Sequence, residues 1–363
     1  MGPANSSGGD DQQGPESLMG WTAEQSPGES PPPPPRTTRE IDSLLQNRRV
    51  LRFPTDRPIG TLFSRALNDR SEGAWKELGP ARGEIVILSE KEVRLKVSVG
   101  DQTAVDLSPL LALQPGDLQS LRLEYTKITD SDLSNIRGLT GLTELELKNT
   151  ATSSRGLSHL QELSALSELG LWETPIDNTG LEHLEELTSI QEIDLGMTRI
   201  TSSGLVHFRY MAGLRRLSLG GTQVGDKGMA LLNGNRALQG LFLGYTQVGD
   251  PGLAALRTLP ALQRIALAAT GITDAGLAHL KEIRTLEWIY AGGTRVSDGG
   301  LVHLRELPQL KWLYLAGTGV TEAALIYLQE MTSLQELDVR DTPLSRDAPA
   351  KLRRALPKCK IIY

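Results

Sequence analysis

Apolar residues recur with a period of 24 along this chain of 363 residues, from Leu118 almost to its close. Ten units begin at Leu118, Leu142, Leu166, Ile190, Leu214, Leu238, Leu262, Leu286, Leu310 and Leu334. Each follows L-x-x-L-x-L-x-x-T-x-[IV]-x-x-x-G-L-x-x-L-x-x-L-x-x, cleanest in LQRIALAATGITDAGLAHLKEIRT. Positions 4 and 6, such as Leu217 and Leu219, alternate as strand residues do when they share one side of a sheet. Positions 16, 19 and 22, such as Leu277, Leu280 and Ile283, are spaced by three along one face of a short helix, about ten residues long. A fixed period of this length marks a solenoid, because one unit buries its apolar face only against its neighbours. The predicted fold class is α/β: a curved, right-handed solenoid with a parallel β-sheet on the concave face and short helices on the convex face.

Three polar or small columns accompany the apolar ones. Position 9 is Thr in all ten units, from Thr126 to Thr342. A hydroxyl there can bond turn backbone, which predicts a structural ladder. Position 12 is Thr, Ser or Asp in eight of the ten, among them Thr129, Asp177, Thr273 and Ser297, the residue types that cap helix N-termini. Gly occupies position 15 in seven units, from Gly156 through Gly300, which predicts a close approach of helix to neighbour.

These columns resemble the leucine-rich-repeat superfamily, and within it cysteine-poor bacterial repeats of the form L-x-L-x-x-T-x-[IV]-T-D-x-G-L-x-x-L. They are also similar to the repeats of F-box leucine-rich proteins, without the Cys those carry at the ladder position. KLRRALPKCKI resembles the terminal unit of the bacterial group. For function the resemblance implies an inner face that binds another macromolecule; a fold carries no chemistry by itself.

The array at 118–346 is flanked by other segments. Residues 1–37, with the run Pro31–Pro35, are rich in Pro, Gly and Ser and are expected to be disordered, with a stiff polyproline stretch. Region 38–82 reads as a short helix over Thr38–Arg49, apolar at Ile41, Leu44 and Leu45, followed by a loop or extended piece that Pro54 and Pro58 keep from being helical. Segments 84–88 and 92–99 flank Ser89-Glu90-Lys91 and predict a β-hairpin cap over the first repeat, with a degenerate half-repeat at 105–117. Residues 347–363 form a C-terminal cap.

A net charge of −6 argues against a phosphate-backbone binder, so no nucleic acid is expected as partner. No stretch approaches the roughly 20 apolar residues that cross a bilayer, and the polar N-terminus lacks the parts of a secretion signal. MGPANS fits the loose myristoylation pattern, but Pro3 sits awkwardly in it. The expectation is a monomeric, cytoplasmic protein without a membrane partner. The single cysteine, Cys359, excludes an internal disulfide and a thiolate-rich metal site. All five histidines, His159, His183, His207, His279 and His303, fall at position 18, as a consensus feature and not a ligand set. Without a P-loop, G-x-S-x-G or H-E-x-x-H, neither an enzyme nor a cofactor or metal is expected.

Candidate binding residues come from departures from the period. Positions 3, 5, 7, 8 and 10 should line the concave face; five of 24 positions, they hold eight of the eleven aromatics between Leu118 and Leu344. These are Tyr125, Trp172, Phe242, Tyr245, Trp288, Tyr290, Trp312 and Tyr314. Exposed, clustered aromatics make interface hot spots, and Trp288, Tyr290, Trp312 and Tyr314 should form one block. Beside it position 7 is small: Gly196, Gly220, Gly244, Ala268, Gly292 and Ala316. Earlier repeats instead place Glu144, Glu146, Glu168, Glu173, Glu192 and Asp194 on this face, an acidic patch that would steer a basic segment. The sequence therefore reads as a non-enzymatic module that binds a peptide or protein. Two alternatives remain: a carbohydrate or small-ligand receptor using the same rings, and an adaptor of a ubiquitin-ligase-like complex, for which 38–82 makes no convincing F-box.

Overall fold

The computed structural model describes residues 47–71, 73–97 and 105–363; the tail at 1–37 and most of the helix expected over Thr38–Arg49 lie outside them. The end of that helix is corrected. Arg48 and Arg49 open strand β1 (Arg48–Arg52), where alternation and pairing with a distant strand override the local helical spacing.

Four more strands precede the repeats: β2 (Thr61–Ala66), β3 (Lys76–Pro80), β4 (Glu84–Leu88) and β5 (Lys91–Lys96). The ten repeat strands, β6 (Ser120–Arg122) to β15 (Glu336–Asp338), recur every 24 residues at positions 3–5, and β16 (Lys360–Ile362) follows. Strands β5 to β16 form one parallel series, which β2 and β3 extend antiparallel at the N-terminal end to make a 14-stranded sheet.

The expected hairpin does not exist as a pair. β4 pairs with β1 in a separate two-stranded sheet, while β5 pairs with β2 on one side and β6 on the other. Both edges of β5 are thus occupied, and the short link after Leu88 crosses between sheets. Arg49 ties the ribbon to the array by donating to the carbonyls of Gly116 (2.8 Å) and Lys91 (3.0 Å). The segment at 105–117 is likewise more than a half-repeat: Arg94 registers with Ser120, so β5 supplies the strand of a 26-residue unit. At the other end, helix Ala348–Ala355 and β16 make a further unit of their own.

Inward-facing Leu, Ile and Val at positions 1, 4, 6, 11, 16, 19 and 22 are almost all fully buried and form one continuous core. The Thr column behaves as a ladder. Every one of the ten hydroxyls donates to the carbonyl three residues earlier, at 2.6 to 2.8 Å, as Thr222 does to Leu219. The helices are shorter than expected; the longest in the array, Ser202–Tyr210, is a nine-residue 3-10 helix, and the α-helices there run to four to seven residues.

The capping column is corrected in part. Asp177, Thr273 and Thr321 accept from backbone N–H groups of their own helices, but Ser297 and Thr201 do not. What the column does more consistently is join one repeat to the next. Asp274 accepts from the Ser297 amide (2.7 Å) and hydroxyl (2.6 Å), and Asp130, Asp250 and Asp298 clamp Ser153, Thr273 and Thr321 alike. The glycine column makes room for this clamp: a Cβ on Gly276 would lie 2.4 Å from the Asp250 carboxylate, and one on Gly300 2.7 Å from that of Asp274.

Candidate interaction surface

Because positions 4 and 6 point into the core, positions 3 and 5 project from the opposite, open face of the sheet. Strand register stacks them into lanes. Position 3 runs Glu144, Glu168, Glu192, Arg216, Gly240, Arg264, Trp288, Trp312; position 5 runs Glu146, Gly170, Asp194, Ser218, Phe242, Ala266, Tyr290, Tyr314.

The aromatic block forms, with a change of membership. Trp288 stacks on Tyr290 (centroids 6.0 Å, interplanar 17°), and Tyr314 lies 5.8 Å from Trp288 and 5.6 Å from Tyr290. Phe242 joins from two strands away, 6.2 Å from Trp288, because Ala266 between them is too small to intervene. Trp312 is the exception. Among the described residues it pairs with no ring, and the Lys311 ammonium sits 5.7 Å from its centroid. Tyr314 donates its hydroxyl to Glu336 (3.0 Å); burial first, and the carboxylate second, push its pKa up to about 12. Trp172 and Tyr245 stand apart from the block. Trp172 folds over Gly196, where an added Cβ would come within 2.5 Å of the indole, and Lys148 caps it at 4.5 Å. Tyr245 stands in the turn after its strand and is 74% exposed.

The acidic patch is less uniformly negative than its sequence suggests. Arg94 and Arg122 both pair with Glu144; burial opposes its charge, yet the guanidiniums outweigh burial and hold its carboxyl below the usual range. Glu146 lies 3.7 Å from Arg122 and Glu192 3.3 Å from Arg216. Glu168 and Asp194 have no cationic partner among the described residues. Burial, then repulsion from Glu144 and Glu192, raises the pKa of Glu168, and burial above all raises that of Glu146. These acids surround a hollow of about 360 Å³ that reaches Arg216 and Phe242, so the acidic half and the aromatic half meet there.

A leucine-rich-repeat family profile matches residues 214–232. Among solved structures, an internalin (inlF) of Listeria monocytogenes matches at 21% identity over 74% of this chain and 86% of that one, with a TM-score of 0.51. The chain has the leucine-rich-repeat fold. A second internalin of Listeria monocytogenes, internalin C2, matches at 22% identity (66% of this chain, 84% of that one, TM-score 0.42). A leucine-rich-repeat protein of Leptospira interrogans matches at 18% (68% and 73%, TM-score 0.43). At these identities the likeness is one of fold. Comparison with curated proteins gives no match.

Two features of this face were not read from the sequence. The first is its N-terminal border, where the guanidiniums of Arg65 (4.3 Å) and Arg94 (4.1 Å) both lie against the Trp75 ring. Arg94 also reaches Glu144, so the cap contributes to the surface; only the β2–β5–β6 pairing brings these residues together. The second is backbone: position 8 has positive φ in every repeat, including Tyr125, Met197 and Tyr245. On the convex side the consecutive histidines make separate contacts, His207 with Glu185 (2.7 Å) and His183 with Gln161 (3.5 Å).

Proposed function

We propose that this protein is a non-enzymatic recognition module that binds a peptide or protein on its concave sheet. One observation carries the reading: Phe242, Trp288, Tyr290 and Tyr314 form a contiguous, half-exposed ring cluster on a sheet face that no other described element covers. Rings held in place by one another and by Glu336 lose little side-chain freedom on binding, which favours their use as anchors. Glu168 and Asp194 add charge selectivity at the edge of the cluster. The described part of 38–82 holds β1, in the separate two-stranded sheet, and β2 and β3, which extend the long sheet, and it gives the ubiquitin-ligase adaptor reading no support.

The test compares protein capture by wild type and by a Trp288→Ala/Tyr314→Ala variant shown to be folded by circular dichroism. A partner held by the rings should bind the variant at least about 2 kcal/mol more weakly, the hot-spot range. Capture that is equal for the two proteins removes this site. Tryptophan quenching by glycans, with no protein captured, would instead favour the carbohydrate reading.

A further inference from the structure

Resting on the protein-binding reading above, the lane geometry specifies the kind of segment that fits. Along position 5, Asp194, Phe242 and Tyr290 stand on alternate strands, β9 (Glu192–Asp194), β11 (Gly240–Phe242) and β13 (Trp288–Tyr290), with the small Ser218 and Ala266 between them, and Tyr314 closes the lane on the next strand. Alternate strands lie about 9.6 Å apart, twice the usual spacing of ~4.8 Å. A polyproline II helix repeats every three residues, over about 9.3 Å. Laid across the strands, such a segment would meet this lane in step, one turn for every two strands. An α-helix or a β-strand has no matching repeat at that length.

The relief of the surface suits the same ligand. Phe242 and Trp288 are tilted by 56°, and Trp288 and Tyr314 by 52°, so the cluster presents ring edges and faces at an angle instead of a flat platform. Polyproline II segments dock on aromatic-lined surfaces. The floor beside the rings is low, with Gly244, Ala266, Ala268 and Gly292 giving the ligand backbone room.

Charge sets the polarity. Beside the rings stands Arg264, an exposed cation, and Asp338 at the far end is taken by Arg340 (2.7 Å). Of the acids at positions 3 and 5, Glu168 and Asp194, at the edge of the hollow, are the ones without a cationic partner among the described residues. A ligand cation therefore belongs at the β9 end. We infer that the concave face binds a proline-rich segment of a partner protein in polyproline II conformation, its prolines in step on Phe242 and Tyr290 with Trp288 and Tyr314 packed beside them, and an arginine or lysine at one end over Glu168 and Asp194.

The experiment is fluorescence polarisation with labelled nine-residue oligoprolines carrying one Arg at either end, against the full chain. One orientation should bind, at least tenfold more tightly than the same peptide with Glu for Arg. A Glu168→Gln/Asp194→Asn variant should keep oligoproline binding and lose most of the Arg-over-Glu preference. The Trp288→Ala/Tyr314→Ala variant should lose binding of all these peptides; if it fails to fold, Tyr314→Ala alone supplies that arm. The inference is overturned if the oligoprolines do not bind. It is equally overturned if an Arg-bearing Gly-Ser peptide or a basic helical peptide binds more tightly through the same rings, an outcome that leaves the protein-binding reading standing. Binding of glycans through the rings, with no peptide bound, removes both.

Discussion

A single backbone angle recurs at position 8 of all ten repeats. Tyr125, Asn149, Glu173, Met197, Gly221, Tyr245, Ala269, Gly293, Gly317 and Asp341 all have φ between +51° and +70°. The chain must turn left-handed there to leave the strand, and a side chain in that conformation costs roughly 1–2 kcal/mol. Only three of the ten are glycine, so the sequence column carries no sign of the constraint. Replacing Gly293 by Ala should lower stability by about 1 kcal/mol, and Ala269→Gly should raise it by about 0.5 kcal/mol after the entropy of the freer unfolded chain is subtracted. Urea midpoints of the two variants check this; shifts in the opposite directions would mean that the turn is not under strain. Tyr125 and Tyr245, 62% and 74% exposed, hold large rings in this strained position. Packing gives no reason for a ring there.

At the scale of the element, neighbouring repeats are joined on both sides of the core. Parallel strand pairing joins them on one side, and the Asp–hydroxyl clamp on the other. Asp274→Ala would leave the Ser297 amide and hydroxyl without their partner, so a loss of about 2 kcal/mol is expected. Asp274→Asn should recover part of it, since an amide oxygen still accepts; calorimetric unfolding distinguishes the three proteins. Equal stability of wild type and Asp274→Ala would mean that stacking of Leu and Ile alone joins the repeats.

The acid row on β7 (Glu144–Glu146), β8 (Glu168–Gly170) and β9 makes a second prediction at this scale. Glu168 has a raised pKa in the folded chain, so its folded state favours the protonated form. Its contribution is therefore fully present below the ordinary glutamate pKa and is lost as pH rises through the raised value. Glu168→Gln should stabilise the protein at pH 7 and make little difference near pH 3. Glu144 has the opposite sign: its depressed pKa supplies stability at neutral pH that is lost as the medium turns acidic. Urea midpoints against pH separate the two; a Glu168→Gln gain that is largest in acid would reverse the assignment.

At the scale of the whole molecule, the fold was almost entirely legible because each column repeats ten times and a repeated column reports a shared need. The Leu columns named the core, and the Thr column named its ladder. The site was legible only in part. Strand register follows from the period, so Trp288, Tyr290 and Tyr314 could be put side by side from sequence alone. Whether rings touch depends on rotamers, which is why Phe242 joined the block across Ala266 and Trp312 did not. Charge was read one residue at a time, so the Arg122 pairing with Glu144 across adjacent repeats was passed over, and the Arg94 pairing escaped because it needs β5 beside β6. Strands β4 and β5 were placed correctly but paired wrongly, and β1 was read as the end of a helix: local alternation marks a strand and says nothing of which edge it meets. The T-D pair read as a cap and a neighbour because the clamp spans two repeats, 23 residues apart in sequence.

Hydroxyl-radical footprinting of the protein with and without a captured partner tests whether the concave rings form the binding surface. Protection should centre on Phe242, Trp288, Tyr290 and Tyr314 and extend towards Glu168 and Asp194, with the convex helices unchanged. Protection confined to the convex helices or to the β1–β4 ribbon, with the four rings as reactive as in the free protein, would contradict that assignment.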